Sequence, residues 1–318
     1  MSQPTNHAIV ITKTGDFDVI DKIEVPYPQP GKDEVLVKVH YAGVNFIDNY
    51  FRTGIYPIKS FPSRFGSEAA GTVISAPSDP EILGDKEYQL RNIKEGAHVA
   101  VYTFGAIPTG VTTQGATALT FVEEAYKVKA GDTILVHAVA GGLGLLFTQL
   151  IKLRGATVIG TTSTPEKAEL ARSFGADHVI LYNSEDVAKK VLELTDGEGV
   201  HGIFDGVGKD TYELDFEVIR RKGTIVFVGN ASGVVPPISP LRLAQKNVTI
   251  ARPTLKNYIF TLEEGRRYIT ELFDLVASQK LKVRIHKEYP FTAEGVREAE
   301  RDLTGRKTTG KLLVKVVA

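Results

Sequence analysis

The sequence predicts an α/β protein with two domains, a doubly wound parallel sheet (Rossmann) domain and an antiparallel, barrel-like domain. The chain has 318 residues, more than the roughly 100 to 200 residues that usually share one hydrophobic core. From residue 132 onward, short β-branched runs alternate with stretches of helical periodicity. The preceding part instead has strands separated by Pro- and Gly-rich turns, a pattern typical of antiparallel sheets.

The second half predicts a run of βαβ units. Its apolar runs predict strands at residues 133–138, 156–162, 178–182, 200–207, 223–229 and 247–252. Helical periods lie between them at Leu143–Arg154, Pro165–Phe174, Ser184–Leu194 and Thr211–Arg220. Strand, helix and strand at this spacing give right-handed crossovers and a parallel sheet. We therefore assign 115–254 to the doubly wound domain, and 1–114 with 255–318 to the barrel-like domain, to which the last two strands return.

The amino-acid composition excludes several classes of protein function. The chain is 42% hydrophobic and 24% charged, as in ordinary globular enzymes. Lys and Arg number 38 and Asp and Glu 38, which disfavours tight charge-driven binding to nucleic acid or anionic membranes. The absence of cysteine excludes disulfides, thiolate nucleophiles and cysteine-ligated zinc. No apolar run of membrane-spanning length and no targeting segment is visible, so we expect a cytoplasmic location.

A glycine turn lies between the first strand and the first helix of the parallel sheet. Ala138 begins the pattern A-x-x-G-G-x-G and stands where the dinucleotide fingerprint usually has its first glycine. A glycine turn before a helix N-terminus lets a pyrophosphate approach the free N–H groups. The predicted pyrophosphate-binding residues are Ala140, Gly141, Gly142, Leu143 and Gly144. The alternative is that these glycines only allow close packing of the helix on the strand.

The end of the next strand indicates which dinucleotide binds. An NAD site usually has Asp or Glu there, to bind the ribose hydroxyls. Here Thr161, Thr162, Ser163 and Thr164 follow one another without an acid, and Lys167 lies in the following helix. Hydroxyls and an ammonium suit a 2′-phosphate, so NADPH is preferred over NADH. The alternative for Lys167 is a solvated helix residue.

Four separated motifs resemble one enzyme family. "YAGVNFIDNYFRTGIYP", "FGSEAAGTV", "AVAGGLG" and "FVGNASG" occur in the order typical of the quinone oxidoreductase (zeta-crystallin-like) branch of the zinc-independent medium-chain dehydrogenase/reductase superfamily. The resemblance implies a chaperonin-10-like (GroES-like) antiparallel β-barrel catalytic domain beside the Rossmann domain. It also implies NADPH-dependent reduction of quinones, with reduction of α,β-unsaturated carbonyls in some members.

The resemblance also predicts that no metal is bound. In zinc alcohol dehydrogenases of the superfamily, the corresponding stretches supply a cysteine and a histidine to a catalytic zinc. Here those places hold Asn45 and Ser67. Without a Lewis acid to polarise an alcohol, a quinone or a conjugated enone is the better substrate.

The resemblance implies three groups of site residues. The catalytic, acceptor-side group is Asn45, Asp48, Tyr50, Arg52 and Tyr56, although either tyrosine is equally compatible with simple packing. The adenosine-phosphate group is Ser163, Lys167, Tyr182 and Arg306. The nicotinamide group is Thr117, Asn230 and Arg252.

Three further expectations remain open at this level. The first is a 2-alkenal or enone double-bond reductase using the same pocket, and the second is weak binding of AU-rich single-stranded RNA in the cofactor cleft. The third is a homodimer formed through the edge of the parallel sheet. Two segments depart from the family pattern: residues 106–113 replace an additional strand, and residues 75–96 form a longer surface loop.

Overall fold

A computed structural model describes residues 5–102 and 112–316. Its contacts divide the chain into unit 1, Met1–Thr113 with Ile285–Ala318, and unit 2, Gln114–Arg284. Most of the shortened connection at residues 106–113 lies outside the described residues.

Unit 1 contains two small sheets. One has the strand order β2-β1-β4 and the other has the order β13-β14-β3-β5-β6. Neighbouring strands are antiparallel except for β13 and β14, which are parallel. The final strand is therefore inserted beside β3, and the end of the chain belongs to unit 1. The strands are β1 (Thr5–Ile11), β2 (Ile20–Pro26), β3 (Leu36–Val44), β4 (Ser63–Arg64), β5 (Glu68–Ser75), β6 (His98–Tyr102), β13 (Ile285–Pro290) and β14 (Lys311–Lys315).

Four helices accompany these sheets: α1 (Phe46–Arg52), α2 (Pro80–Gly84), α3 (Lys86–Arg91) and α12 (Ala293–Thr304). The segment expected to be a surface loop contains α2 and α3, which begin where the Asp79 and Asp85 side chains accept backbone N–H groups. One end of α1 carries Asn45 as its N-cap. The core of unit 1 includes Ile11, Ile20 and Tyr289, all at most 1% exposed.

Unit 2 is built on one six-stranded parallel sheet with the order β12-β11-β10-β7-β8-β9. This order confirms the predicted doubly wound sheet. The strands are β7 (Thr133–Val136), β8 (Thr157–Thr162), β9 (His178–Leu181), β10 (Val200–Asp205), β11 (Ile219–Phe227) and β12 (Thr249–Ala251). The helices are α4 (Thr112–Thr120), α5 (Gly142–Leu153), α6 (Pro165–Ser173), α7 (Val187–Leu194), α8 (Tyr212–Val218), α9 (Pro240–Ala244), α10 (Leu255–Tyr258) and α11 (Leu262–Ala277), with a π-helical segment at Phe121–Ala125.

The central strands are apolar because helices cover both faces of a parallel sheet. Ile134, Leu135 and Val136 of β7 are all fully buried. The chain winds from β7 toward β9 in one direction and from β10 toward β12 in the other. The direction reverses between β7 and β10, and ligands of such sheets bind outside the carboxyl ends of the strands at this position.

Residues 255–284, which the sequence analysis assigned to the barrel-like domain, group with unit 2 by their contacts. Tyr268 of α11 donates a hydrogen bond to Glu124, and Arg267 pairs with Glu123. Leu272 lies against Gly115, which has no side chain to obstruct it. In the part of the chain that is described, no helix is long and apolar enough to cross a membrane.

Candidate functional site

The glycine turn joins β7 to α5 at the carboxyl edge of the parallel sheet. Ala138 has φ +50°, the left-handed conformation in which the fingerprint usually has glycine. The Gly141 N–H donates to the Ala138 carbonyl at 2.9 Å, and the Val139 N–H donates to the Thr161 carbonyl at 3.0 Å. Gly141 is the N-cap of α5, so the first N–H groups of a twelve-residue helix lie at the turn.

The glycines of the turn have different surroundings. A Cβ on Gly144 would lie 2.5 Å from the Ala138 carbonyl oxygen and 2.7 Å from the Val139 carbonyl oxygen. Close packing therefore requires glycine at 144, as the alternative interpretation supposed. A Cβ on Gly141 would lie 3.2 Å from the same Ala138 oxygen. Gly141, Gly142 and Leu143 are partly exposed at the helix start, whereas Ala140 is buried.

Beside the turn, the ends of β8 and β9 carry the residues predicted to bind the adenosine phosphate. The Tyr182 N–H donates to the Thr162 carbonyl at 3.1 Å. Asn183 Nδ2 donates to the Ser163 carbonyl at 3.0 Å. Tyr182 and Ser163 therefore lie at the same edge of the sheet.

Lys167 lies in the first turn of α6, which begins at the end of β8. Its N–H donates to Thr164 Oγ1 at 3.4 Å, and partial burial lowers the pKa of its ammonium. The nearby carboxylate, Glu166, is exposed and hydrogen-bonds Thr164. Hydroxyls, the Lys167 ammonium and a helix N-terminus form a donor set that fits the phosphates of NADPH.

The predicted nicotinamide-side residues come from separate elements of unit 2. Thr117 lies in α4, Asn230 follows β11, and Arg252 directly follows β12. Arg252 Nη1 donates to the Pro253 carbonyl at 3.2 Å and lies 3.5 Å from the Val228 carbonyl oxygen. Arg306 belongs to unit 1, where it follows α12 with φ +59°.

Asn45 forms a buried hydrogen-bond network in unit 1. Its Nδ2 donates to Glu68 Oε1 at 3.0 Å, and its Oδ1 accepts from Lys311 Nζ at 2.8 Å. Lys311 also forms an ion pair with Glu68 and donates to the Val44 carbonyl at 3.2 Å. All three polar side chains belong to residues less than 5% exposed. We call Asn45, Glu68 and Lys311 the lysine cluster; the sequence analysis missed Glu68 and Lys311 as members of this site.

Asp48 stabilises the first turn of α1. Its Oδ2 accepts the Asn45 N–H at 2.9 Å, which is half of a capping box. Burial raises the pKa of Asp48 to about 7, although the Asn45 hydrogen bond and the charge of Lys311 oppose the shift and the charge of Glu68 adds to it. This carboxyl therefore gains or loses its proton near neutral pH.

Arg52 is buried within unit 1, where its guanidinium donates to the Gly15 carbonyl at 2.7 Å and to Asn49 Oδ1 at 2.6 Å. These contacts hold the end of α1 in place. Tyr50 is also buried, and its ring centroid lies 5.3 Å from that of Tyr56. Tyr56 is only half-buried, so it is the most accessible of the five acceptor-side residues.

The residues at the former zinc-ligand positions do not fit a zinc ion. Asn45 already uses its amide oxygen to accept from the Lys311 ammonium, whose positive charge would repel a second cation. Ser67 is a neutral hydroxyl, and the sequence has no cysteine. Among residues 5–102 and 112–316, no three His, Asp or Glu side chains are grouped as metal ligands would be.

Family models match both parts of the chain. The Alcohol dehydrogenase GroES-like domain matches residues 31–151, and the Zinc-binding dehydrogenase family matches residues 142–277. Fold and site together define a medium-chain dehydrogenase/reductase.

Individual relatives narrow this class further. A quinone oxidoreductase of Pseudomonas aeruginosa is 36% identical over 94% of this chain and 96% of its own. The crystal structure of Escherichia coli quinone oxidoreductase complexed with NADPH has a TM-score of 0.87 and 32% identity, over 98% of this chain and 100% of that chain. A 2-haloacrylate reductase of a Burkholderia species is 32% identical over 96% of this chain and 98% of its own. The chain belongs to the quinone oxidoreductase branch of the superfamily.

Proposed function

We propose that the protein is a zinc-independent, NADPH-dependent quinone reductase. The observation that carries this proposal is the edge of the sheet where β8 ends in hydroxyl residues, Lys167 follows, and the glycine turn begins α5. That donor set suits a dinucleotide with a 2′-phosphate. Support also comes from the relatives named as quinone oxidoreductases, one of which was solved with NADPH.

Bound NADPH would supply the hydride, and the protein would hold the two reactants in place. In this proposal the start of α5 holds the pyrophosphate, while Ser163, Lys167 and Tyr182 hold the 2′-phosphate. Thr117, Asn230 and Arg252 orient the nicotinamide, and Arg306 contributes to the adenosine side.

In unit 1, the half-buried Tyr56 is the proposed hydrogen-bond donor to a quinone carbonyl, whereas Asn45, also predicted for this role, is held in the buried lysine cluster. Tyr50 packs behind Tyr56, and Asp48 and Arg52 fix the two ends of α1. Asp48 holds the start of this helix by accepting the Asn45 N–H and is not an obligatory proton source in this proposal. The proposal needs no metal ion.

The test is titration of the purified protein with NADPH and, separately, NADH, followed by stopped-flow mixing of each complex with phenanthrenequinone. We expect tighter binding of NADPH and rapid loss of nicotinamide absorbance after mixing. Binding without oxidation would contradict quinone reduction but not the cofactor site. Equal affinity for the two dinucleotides would contradict the proposed 2′-phosphate site.

Reduction of a conjugated carbon–carbon double bond is the second candidate, favoured by the similarity to a 2-haloacrylate reductase. The two activities differ in the shape of the acceptor, flat for a quinone and linear for an alkenal. Initial rates with each acceptor, and inhibition of one reaction by the other acceptor, distinguish them. Turnover confined to the alkenal would replace the quinone proposal.

The remaining expectations about partners and location are predictions. β12 is an edge strand of the parallel sheet, so a homodimer formed by pairing two such edges is the proposed assembly. Light scattering of the purified chain tests it, and a monomer at all concentrations would contradict it. A cytoplasmic location and weak single-stranded RNA binding rest on the sequence alone.

A further inference from the structure

His137 lies directly between β7 and the glycine turn, and its imidazole connects two other elements of unit 2. Its Nδ1 is 2.9 Å from Thr161 Oγ1 at the end of β8. Its Nε2 is 2.9 Å from Asp215 Oδ1 in α8. The backbone of the same residue donates to the Phe204 carbonyl of β10 at 3.1 Å. One buried residue thus links the segments around the site where the sheet reverses direction.

Asp215 faces a second carboxylate on its other side. Its Oδ2 has no hydrogen-bond partner among the residues described, and Asp205 is the acidic neighbour whose charge adds to the rise in its pKa. Asp205 already accepts the Val207 N–H at 2.7 Å and the Thr211 hydroxyl at 2.8 Å. Two neighbouring buried carboxylates repel each other unless one of them carries a proton. Since Asp205 is saturated with donors, the proton belongs on Asp215 or on its partner His137.

The pKa values of both Asp215 and His137 are raised, which favours a proton on this pair. Burial raises the pKa of Asp215 to about 7, opposed by His137 and reinforced by Asp205. Burial alone would lower the pKa of His137, but the charges of Asp215 and Asp205 outweigh it, so the pKa is raised. Among the described residues, no other charged group is a cause of either shift.

We propose that His137 and Asp215 are positioning residues for the bound dinucleotide. Together these two residues hold one proton, which reduces the repulsion between Asp215 and Asp205 and so keeps the glycine turn in its binding geometry. We call His137, Asp205 and Asp215 the histidine cluster. The proposal rests on the proposed cofactor site. The histidine cluster is connected to the glycine turn in two ways. Ala138, the first residue of the turn, follows His137 directly. The Val139 N–H donates to the carbonyl of Thr161, whose hydroxyl contacts the His137 ring.

The direction of the pH effect follows from the raised pKa values. A group that binds its proton more tightly when folded stabilises the fold at low pH, and this contribution is lost as pH rises through the folded pKa. Loss of the proton leaves two buried carboxylates as neighbours. Repulsion between them would move α8 and the Asp205 turn away from the ring. We therefore expect NADPH affinity and the unfolding temperature of unit 2 to fall together as pH rises to about 7, and to change little at higher pH.

Asp215→Asn is the decisive variant because it imitates the protonated carboxyl permanently. The amide nitrogen can donate to Asp205, and the amide oxygen can accept from His137. Glu213→Gln is the matched control, since it removes an exposed carboxylate from the same helix. His137→Gln keeps a donor toward Asp215 but removes the titrating ring.

The experiment measures the NADPH dissociation constant and the unfolding temperature without cofactor from about pH 5 to about pH 8.5, a range that covers the expected decline and the plateau above the folded pKa. We expect about a tenfold rise in the wild-type dissociation constant, because one linked proton changes affinity by up to tenfold per pH unit. For Asp215→Asn, both the dissociation constant and the unfolding temperature should change little with pH once the titration of the cofactor is accounted for. For Glu213→Gln, both should change with pH as they do in the wild-type protein. Titration of the cofactor itself affects all variants equally and cancels.

Wild-type slopes in both measurements for Asp215→Asn would overturn the proposal. If Asp215→Asn does not fold, His137→Gln decides by the same criterion. If the wild-type protein does not bind NADPH at all, the proposed function fails. The unfolding temperatures then still decide whether the histidine cluster holds a proton.

Discussion

The two units each bury a carboxylate beside their predicted functional residues, but they compensate its charge differently. In unit 1, Glu68 is paired with the lysine ammonium of Lys311. In unit 2, Asp215 is paired with an imidazole and lies against a second acid, Asp205. In a Lys–Glu pair the opposite charges compensate each other without a shared proton. In the histidine cluster the charges of the two carboxylates are compensated only while the cluster holds a proton. The second arrangement makes the stability of unit 2 depend on pH.

The largest expected effect is in the lysine cluster. Lys311→Met should lower the free energy of unfolding by about 3–5 kcal/mol, because Glu68 would remain buried without its cation. Chemical denaturation followed by circular dichroism measures the change.

Lys315→Met is the control for this variant, since Lys315 is an exposed lysine on the same strand. It should leave the unfolding midpoint unchanged. The double variant Glu68→Gln with Lys311→Met should recover part of the loss, as the buried charge is then gone. A cost below about 1 kcal/mol for Lys311→Met would show that the pair contributes no more than a surface ion pair.

The second prediction separates packing from ligand binding within the glycine turn. Gly144→Ala should destabilise the protein by about 1–3 kcal/mol, because its Cβ meets the backbone carbonyls of residues 138 and 139. Gly142→Val, at the first position of α5, should leave the fold intact and weaken NADPH binding at least about tenfold, since a side chain there obstructs the phosphate. Thermal unfolding and cofactor titration distinguish the two. Normal NADPH affinity in Gly142→Val would refute the phosphate site.

The smallest expected effect concerns cofactor preference. Lys167→Ala should weaken NADPH binding about tenfold, as expected for loss of one charge-assisted hydrogen bond. NADH binding should hardly change. Lys190→Ala is the control, an exposed lysine of α7 paired with Glu193. Equal weakening of both dinucleotides by Lys167→Ala would place this ammonium away from the 2′-phosphate.

Sequence patterns predicted the parallel sheet well because its signals are local. The central strands β7, β8 and β10 are short apolar runs that are largely buried, and the glycine turn is continuous in sequence. The roles of the predicted site residues toward ligands are proposals, which the variants above test.

The parts that sequence reasoning missed depend on long-range contacts. Residues 255–284 have an ordinary amphipathic pattern, and only contacts such as Tyr268 with Glu124 group them with unit 2. Lys311 and Glu68 meet across strands far apart in the chain, so neither position alone indicates a charge pair. His137 is not among the residues that the sequence predicted for the site. Its position one residue before the turn was the available signal, but its partner Asp215 lies in a later helix.

The placement of β14 in the five-stranded sheet has a consequence for synthesis of the protein. Unit 2 is continuous in sequence, from 114 to 284, so all of it has been synthesised before residues 311–315 are made. Until then β3 lacks its neighbour, and Glu68 lacks the lysine that neutralises it. At this stage the nascent chain contains the complete sequence of unit 2 but an unfinished unit 1, in which one edge of β3 is exposed. The time between the two events is when this chain most needs protection from aggregation.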